Sequence, residues 1–130
     1  MAVINGLPQL GGGSIVADLL WTNNSPTTPF TPKTITLSGS MQDYEYLLFE
    51  IRKMSNDTEE GRKLSYCITK VENDKLMLSG VNTYYQRQIS YVNNTQISIP
   101  TAKTQNTGGE SSNVYIIPLR IFGLSKFKFD

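Results

Sequence analysis

Histidine is absent from this 130-residue chain, and cysteine occurs once, at Cys67. The first absence removes imidazole acid–base chemistry, the Ser-His-Asp triad and the Cys-His pair. Together the two remove Cys/His zinc sites. Long apolar runs are also missing: none exceeds three or four residues, so no transmembrane helix is expected. The opening stretch, Met1 to Ser14, has neither the basic nor the apolar region of a secretory signal, so none is expected there. An excess of charge is lacking too. Twelve Lys and Arg against eleven Asp and Glu leave +1, which gives no electrostatic footprint for nucleic acid or an anionic membrane. Alanine appears only at 2, 17 and 102, and good helix formers are scarce.

What is present points to strands. The chain is the size of one ordinary domain, and a chain of this size buries roughly two-thirds of its surface. Ser, Thr, Asn and Gln number 41, while charged residues are 18%. Such a weakly charged surface, rich in hydroxyls and amides, suits extracellular and virion β-proteins as well as it suits linkers. Period-two alternation decides for β-structure.

Residues 1–14 read as a flexible N-terminal arm, because Gly11-Gly12-Gly13-Ser14 is poorly suited to a packed interior. Val3, Ile4, Leu7 and Leu10 would be idle on a free tail, so they are candidate docking residues. Residues 15–130 read as the head domain. Ile15 to Trp21 is the first expected strand. Three prolines in Asn23–Pro32 forbid a helix or an inner strand there, and Phe30 is expected to tuck inward. Lys33–Leu37 alternates cleanly. Asp43–Met54 is apolar on both faces, as an inner strand covered on both sides would be; a helix is the weaker alternative. Leu64, Tyr66 and Ile68 alternate with Ser65, Cys67 and Thr69, and Glu72–Lys75 marks a hairpin turn before Leu76–Leu78. In the segment around residue 88, Tyr85, Arg87, Ile89 and Tyr91 face one way, while Gln86, Gln88 and Ser90 form a polar face for water. Asn93-Asn94 predicts a tight turn before Ile97 and Ile99. The last strand, Asn113–Phe122, is again apolar on both faces, and Pro118 within it calls for an edge position or a bulge. About eight strands at this spacing predict an all-β fold, an antiparallel, jelly-roll-like β-sandwich. Trp21, Leu48, Phe49, Ile68 and Ile117 are its expected core.

No catalytic constellation emerges. The carboxylate pairs Glu59-Glu60 and Glu72/Asp74 lie in turns, where solvated charge is the plain explanation, and Asp43/Glu45 is no better placed. Asp57, Glu59 and Glu60 crowd one loop with hard oxygens but without the ligand spacing of a calcium motif. No metal, cofactor or catalytic residue is therefore expected. Cys67 reads as a structural thiol. Trp21, Tyr84, Tyr85, Tyr91 and Tyr115 are candidates for a sugar-stacking platform against the simpler reading of cross-strand packing. Tyr84 and Tyr85 stand out because adjacent strand residues point to opposite faces, so one of the two must face away from the core and meet a ligand, a subunit or water.

Asp18-Leu19-Leu20-Trp21-Thr22-Asn23, Ser25-Pro26-Thr27 with Phe30, Thr34–Leu37, the run from Asp43 to Glu50, and Ile117-Pro118-Leu119-Arg120-Ile121-Phe122-Gly123-Leu124 carry a resemblance. They resemble a module of tail and minor structural proteins from phages of Gram-positive, especially gut, bacteria. The motifs are structural and spread over both ends of the chain. The resemblance implies a β-sandwich virion component, assembled as a symmetric oligomer inside the host cytoplasm. A tail-fibre or receptor-binding part is favoured over a capsid decoration or head-fibre protein. A carbohydrate-binding module is the rival from another class.

The expected partners are other virion proteins, through the arm, and a host cell-surface glycan; nucleic acid and membrane insertion are not expected. A homotrimer is expected from the second apolar face of Asp43–Ile51 and Asn113–Phe122. A sandwich supplies one internal face per sheet, so the other face needs a loop such as Asn23–Pro32 or a subunit interface.

Overall fold

The computed structural model describes residues 2–3, 16–71, 76–79, 85–104 and 109–125. It is an all-β sandwich of two antiparallel sheets. Sheet 1 runs β1 (Ala2–Val3), β2 (Val16–Thr22), β11 (Tyr115–Leu124), β4 (Tyr46–Met54) and β5 (Leu64–Lys70) from edge to edge. Sheet 2 runs β10 (Ser111–Ser112), β9 (Ala102–Thr104), β7 (Tyr85–Asn93), β8 (Gln96–Ile99) and β3 (Lys33–Thr36), with β6 (Leu76–Ser79) also on β7. The expected eight strands are thus joined by short two- and three-residue segments. Within the expected arm, Ala2 pairs with Ala17 and Val3 with Val16. Ile4, Leu7 and Leu10 lie outside the described residues, as do Tyr84 and the turn at Glu72–Lys75.

β4 is an inner strand, as its two apolar faces required: β11 flanks it on one side and β5 on the other. It begins at Tyr46 rather than Asp43, because a 3-10 turn at Met41–Asp43 intervenes. The Ser40 hydroxyl caps that turn by accepting from the Gln42 amide. The inner faces of both sheets meet in one core. Leu47, Phe49, Ile51 and Ile121 from sheet 1 pack with Ile35, Ile89, Ile97 and Ile99 from sheet 2. Phe30 turns inward from the proline loop into the same core, meeting Trp21 edge-on at 6.1 Å, and Trp21 itself is half-buried. Each fully buried side chain of this size contributes about 1.5–3 kcal/mol.

β11 sits in the middle of sheet 1, so Pro118 is not at an edge. The register with β4 instead slips by one residue between Pro118 and Arg120, the bulge that a proline in a central strand requires. A second slip, between Ile121 and Phe122, leaves Leu20 of β2 as the extra residue. The turn into β8 falls at Asn94-Thr95, and the Asn93 side chain accepts from the Thr95 amide.

One expected core residue is misplaced. Ile68 is half exposed, and Leu64 and Tyr66 are exposed with it. The alternation along β5 is as read, but its sense is reversed. Ile68 stands opposite Leu48, which faces outward, while Cys67 stands opposite the core residue Phe49. An edge strand covers the margin of the core with small side chains and turns its large ones out.

Candidate functional site

Three features of the surface and its support have chemical potential: the outer face of sheet 1, a buried arginine beneath the loops, and a tyrosine pair beside it.

On the outer face of sheet 1, four apolar residues line up across four strands. Leu19 of β2 pairs with Phe122 of β11, Phe122 with Leu48 of β4, and Leu48 with Ile68 of β5. Leu19 is 47% exposed and Ile68 52%. Leu48 is buried in a small cluster with Ala17 and Leu124, against which Tyr46 and Phe122 pack half-buried. Leu64 and Tyr66 extend the apolar margin along β5 at 48% and 58%. This is the second apolar face expected of β4 and β11. The Asn23–Pro32 loop does not cover it. That loop is pinned at the start of β11, where the Asn23 amide donates to Leu119 O and the Phe30 amide to Asn113 O, and it sends Phe30 into the core.

A paired charge row borders the apolar one. Arg120 grips the Glu50 carboxylate with two hydrogen bonds, from Nε at 2.7 Å and Nη2 at 2.9 Å. The Tyr66 hydroxyl donates to the same carboxylate at 3.0 Å. The Arg120 guanidinium holds the Glu50 carboxyl below the usual carboxylate range, against the upward push of burial. Arg52, next along the face, is largely buried and donates to Met54 O and Asn56 O.

Arg87 is fully buried between the sheets. Its Nη1 donates to Phe30 O and Pro100 O, and its Nη2 to Asn113 O and Tyr115 O, at 2.8–3.2 Å. The guanidinium lies 5.2 Å from the Phe30 ring centroid. Burial pulls its pKa down to about 10. It stays charged at neutral pH, and the four carbonyl oxygens replace the water it lost. One side chain thus ties the proline loop, the end of β8 and the entry to β11 together. The next residue along, Ile116, sits at φ 55° with its side chain buried. That left-handed conformation is costly for a β-branched residue, and the bonds around it hold it in place.

The four described aromatic candidates, Trp21, Tyr85, Tyr91 and Tyr115, do not form one platform. Tyr85 and Tyr115 stack face to face, with centroids 4.1 Å apart, and the Tyr85 hydroxyl donates to Glu110. Trp21 packs on Phe30, and Tyr91 hydrogen-bonds to Asn94 at the turn. Tyr85 therefore has a neighbour on its own sandwich end, while Tyr84 lies outside the described residues.

The acidic loop is spoken for. Asp57 is paired with Arg62 and Arg52, and Glu60 with Lys53 and Lys63. Lys53 and Lys63 hold the Glu60 carboxyl down at about 2. Among the described residues no group of three or more carboxylate or thiol ligands is placed for a metal ion.

Arg87 is the residue whose role sequence reasoning missed. Its place on the inward face was legible from alternation with Gln86 and Gln88, and a charged residue on that face was the available signal. No family model and no curated protein matches this chain.

Proposed function

We propose that this protein is a non-catalytic structural component of a bacteriophage virion. In this reading it is an exposed tail-fibre or receptor-binding part, attached through its N-terminal arm and assembled as a homotrimer. The observation that carries the reading is where the resembling segments lie. Asp18–Asn23 and Ile117–Leu124 come from opposite ends of the chain, yet β2 and β11 pair along their length, from Leu124 with Ala17 to Arg120 with Thr22. The end segments of the resemblance thus lie side by side in the middle of sheet 1, next to β4, while Thr34–Leu37 falls on β3 of sheet 2, as the two layers of a shared sandwich module would. The use of charge agrees with it: Arg87, Glu50, Asp57 and Glu60 are each engaged in bonds that brace the fold. A host cell-surface glycan is the proposed target, met near Tyr85.

The test is assembly. Deleting residues 2–13 should leave a folded domain that no longer enters phage particles, and immunogold against the full chain should label the tail tip. Normal incorporation of the shortened chain defeats attachment through the arm, and label on the capsid shell defeats the tail assignment.

A further inference from the structure

We propose that the C-terminal segment Lys126–Asp130 folds back over the outer face of sheet 1 and seats Phe127 and Phe129 on the cluster Ala17, Leu48 and Leu124. The proposal goes beyond the virion reading and does not rest on it.

The exposures across that face call for a narrow cover. Ala17, Leu48 and Leu124 are 0–3% exposed, whereas Leu19 on one side is 47% exposed and Ile68 on the other 52%. These values belong to the single chain, so the cover does too. Among the described residues, Tyr46 and Phe122 pack against the cluster, and both are themselves half-buried. Leu124 needs more than that. It is the last residue of β11, and its partner on β2 is Ala17, whose methyl group shelters little. A cover one chain wide, running along β11, buries the middle of the face and leaves both margins in water. A second sheet laid on it would bury middle and margins alike.

The segment that leaves the sheet at this spot has the matching pattern. Leu124 pairs with Ala17 on one side and Tyr46 on the other, so residues 126–130 set out from the cluster itself. They read Lys-Phe-Lys-Phe-Asp. In an extended segment Phe127 and Phe129 share one side, and Lys126 and Lys128 share the other. Two rings can lie on the face while two ammonium groups stay in water.

The reach is sufficient. After a turn at Ser125 and Lys126, Phe127 and Phe129 stand about 7 Å apart along the segment. Leu124 and Phe122 have the same spacing along β11, and Leu48 is directly opposite Phe122. Asp130 then approaches Arg120, whose guanidinium leans over the Phe122 ring at 5.2 Å, so the charges at the end of the track are opposite. Lys70 is exposed on the edge strand β5, opposite Tyr46, and lies beside the track rather than under it.

Residues 4–15 join Val3 to Val16 at the other margin of the sheet. A cover entering from there would cross Leu19 before it reached Leu48, and Leu19 is half exposed. Leu19 and Ile68 stay outside the proposed track, so the homotrimer reading keeps both for contact between copies.

The experiment is a nuclear Overhauser measurement on the full chain, between phenylalanine rings and leucine methyls. Repeating it on mixed labelled and unlabelled chains separates contacts within a chain from those between chains. Contacts from Phe127 and Phe129 to Leu48 and Leu124 within one chain are expected. Phe127→Ser and Phe129→Ser should each lower the folding equilibrium constant about tenfold, as loss of one buried ring does, and raise the binding of an apolar dye. Lys126→Ser and Lys128→Ser, on the opposite side, should change neither. Circular dichroism establishes that each variant folds, and the wild-type measurement decides the matter for any that does not.

Rings without contact to either leucine overturn the proposal, as do contacts found only between chains. Contacts to those leucines from Leu7 or Leu10 instead of the rings assign the cover to the N-terminal arm and also overturn it. Serine variants of the two phenylalanines that are as stable as the lysine variants do the same. None of these outcomes touches the virion reading, which particle incorporation tests separately.

Discussion

The outer faces of the two sheets have the same geometry and opposite chemistry. On sheet 2, Thr34 pairs with Ser98 and Ser98 with Ser90, and beside them Gln96 reaches Thr36. On sheet 1 the equivalent row is Leu19, Phe122, Leu48 and Ile68. Both faces lie over the one shared core, so burial against that core cannot account for the difference. Water satisfies a row of hydroxyls and amides, and it does not satisfy a row of leucine, isoleucine and phenylalanine. The sheet 2 face turns its hydroxyls and amides to water, while on sheet 1 Leu48 is buried with Ala17 and Leu124 and the flanking Leu19 and Ile68 stay exposed.

Substitutions on the two sides of sheet 1 should separate what holds one copy together from what joins copies. Phe49→Ala, on the inner side of β4, should have the largest effect, a loss of about 3–5 kcal/mol in chemical denaturation. A loss below about 1 kcal/mol would mean that the inner side is no core. Arg87→Met should follow, at about 3 kcal/mol, because it leaves four buried or part-buried carbonyl oxygens without their donor. An unchanged midpoint would show that water replaces the guanidinium easily.

Gly123→Ala tests the close approach on β11, where an added Cβ would lie 2.5 Å from the Tyr44 ring. The expected cost is about 1–3 kcal/mol. The same ring is braced by its hydroxyl, which donates to Asp18. Burial first, then that bond, push its pKa up to about 12 from 10.0.

Acid should weaken the charged border of the apolar row. The Glu50 carboxyl titrates lower in the folded chain than in the unfolded one, so its contribution is complete above the ordinary value of 4.5. That contribution disappears as pH falls through the folded value. Glu60 adds a loss of the same sign between 4.5 and about 2. Glu50→Gln should flatten the acid melting profile below 4.5, and an unaltered profile would remove Glu50 from the account. The smallest effect belongs to Ile68→Ser, within about 0.5 kcal/mol for the isolated chain at low concentration. A larger loss there would make Ile68 part of the core after all.

Much of this organisation was legible in the residues. Two apolar faces on Asp43–Ile51 favoured an inner strand over a helix, and Pro118 in an apolar strand called for an edge or a bulge. Inward placement of Phe30 followed from a proline-rich loop holding one large aromatic. The sense of β5 was not legible, because Leu64–Lys70 alternates equally well facing in or out. Only its pairing with Leu48 rather than with a core residue decides that Ile68 faces out. Nor was the Arg87 site legible: its acceptors come from residues 30, 100, 113 and 115, and nothing local in the chain brings those carbonyls together. Of the proposed tyrosine contact, Tyr85 is placed beside Tyr115, a partner thirty residues away that only the sandwich brings near.

The most direct test of the contrast between the faces is methyl NMR of the wild-type chain at increasing concentration. Leu19, Ile68 and Val92 are exposed to similar degrees, at 47%, 52% and 48%, and differ in which sheet carries them. The account predicts that the Leu19 and Ile68 methyl signals shift or broaden together as concentration rises, while those of Val92 hold their position. Signals that stay fixed at all three sites, or that move equally at all three, would contradict it.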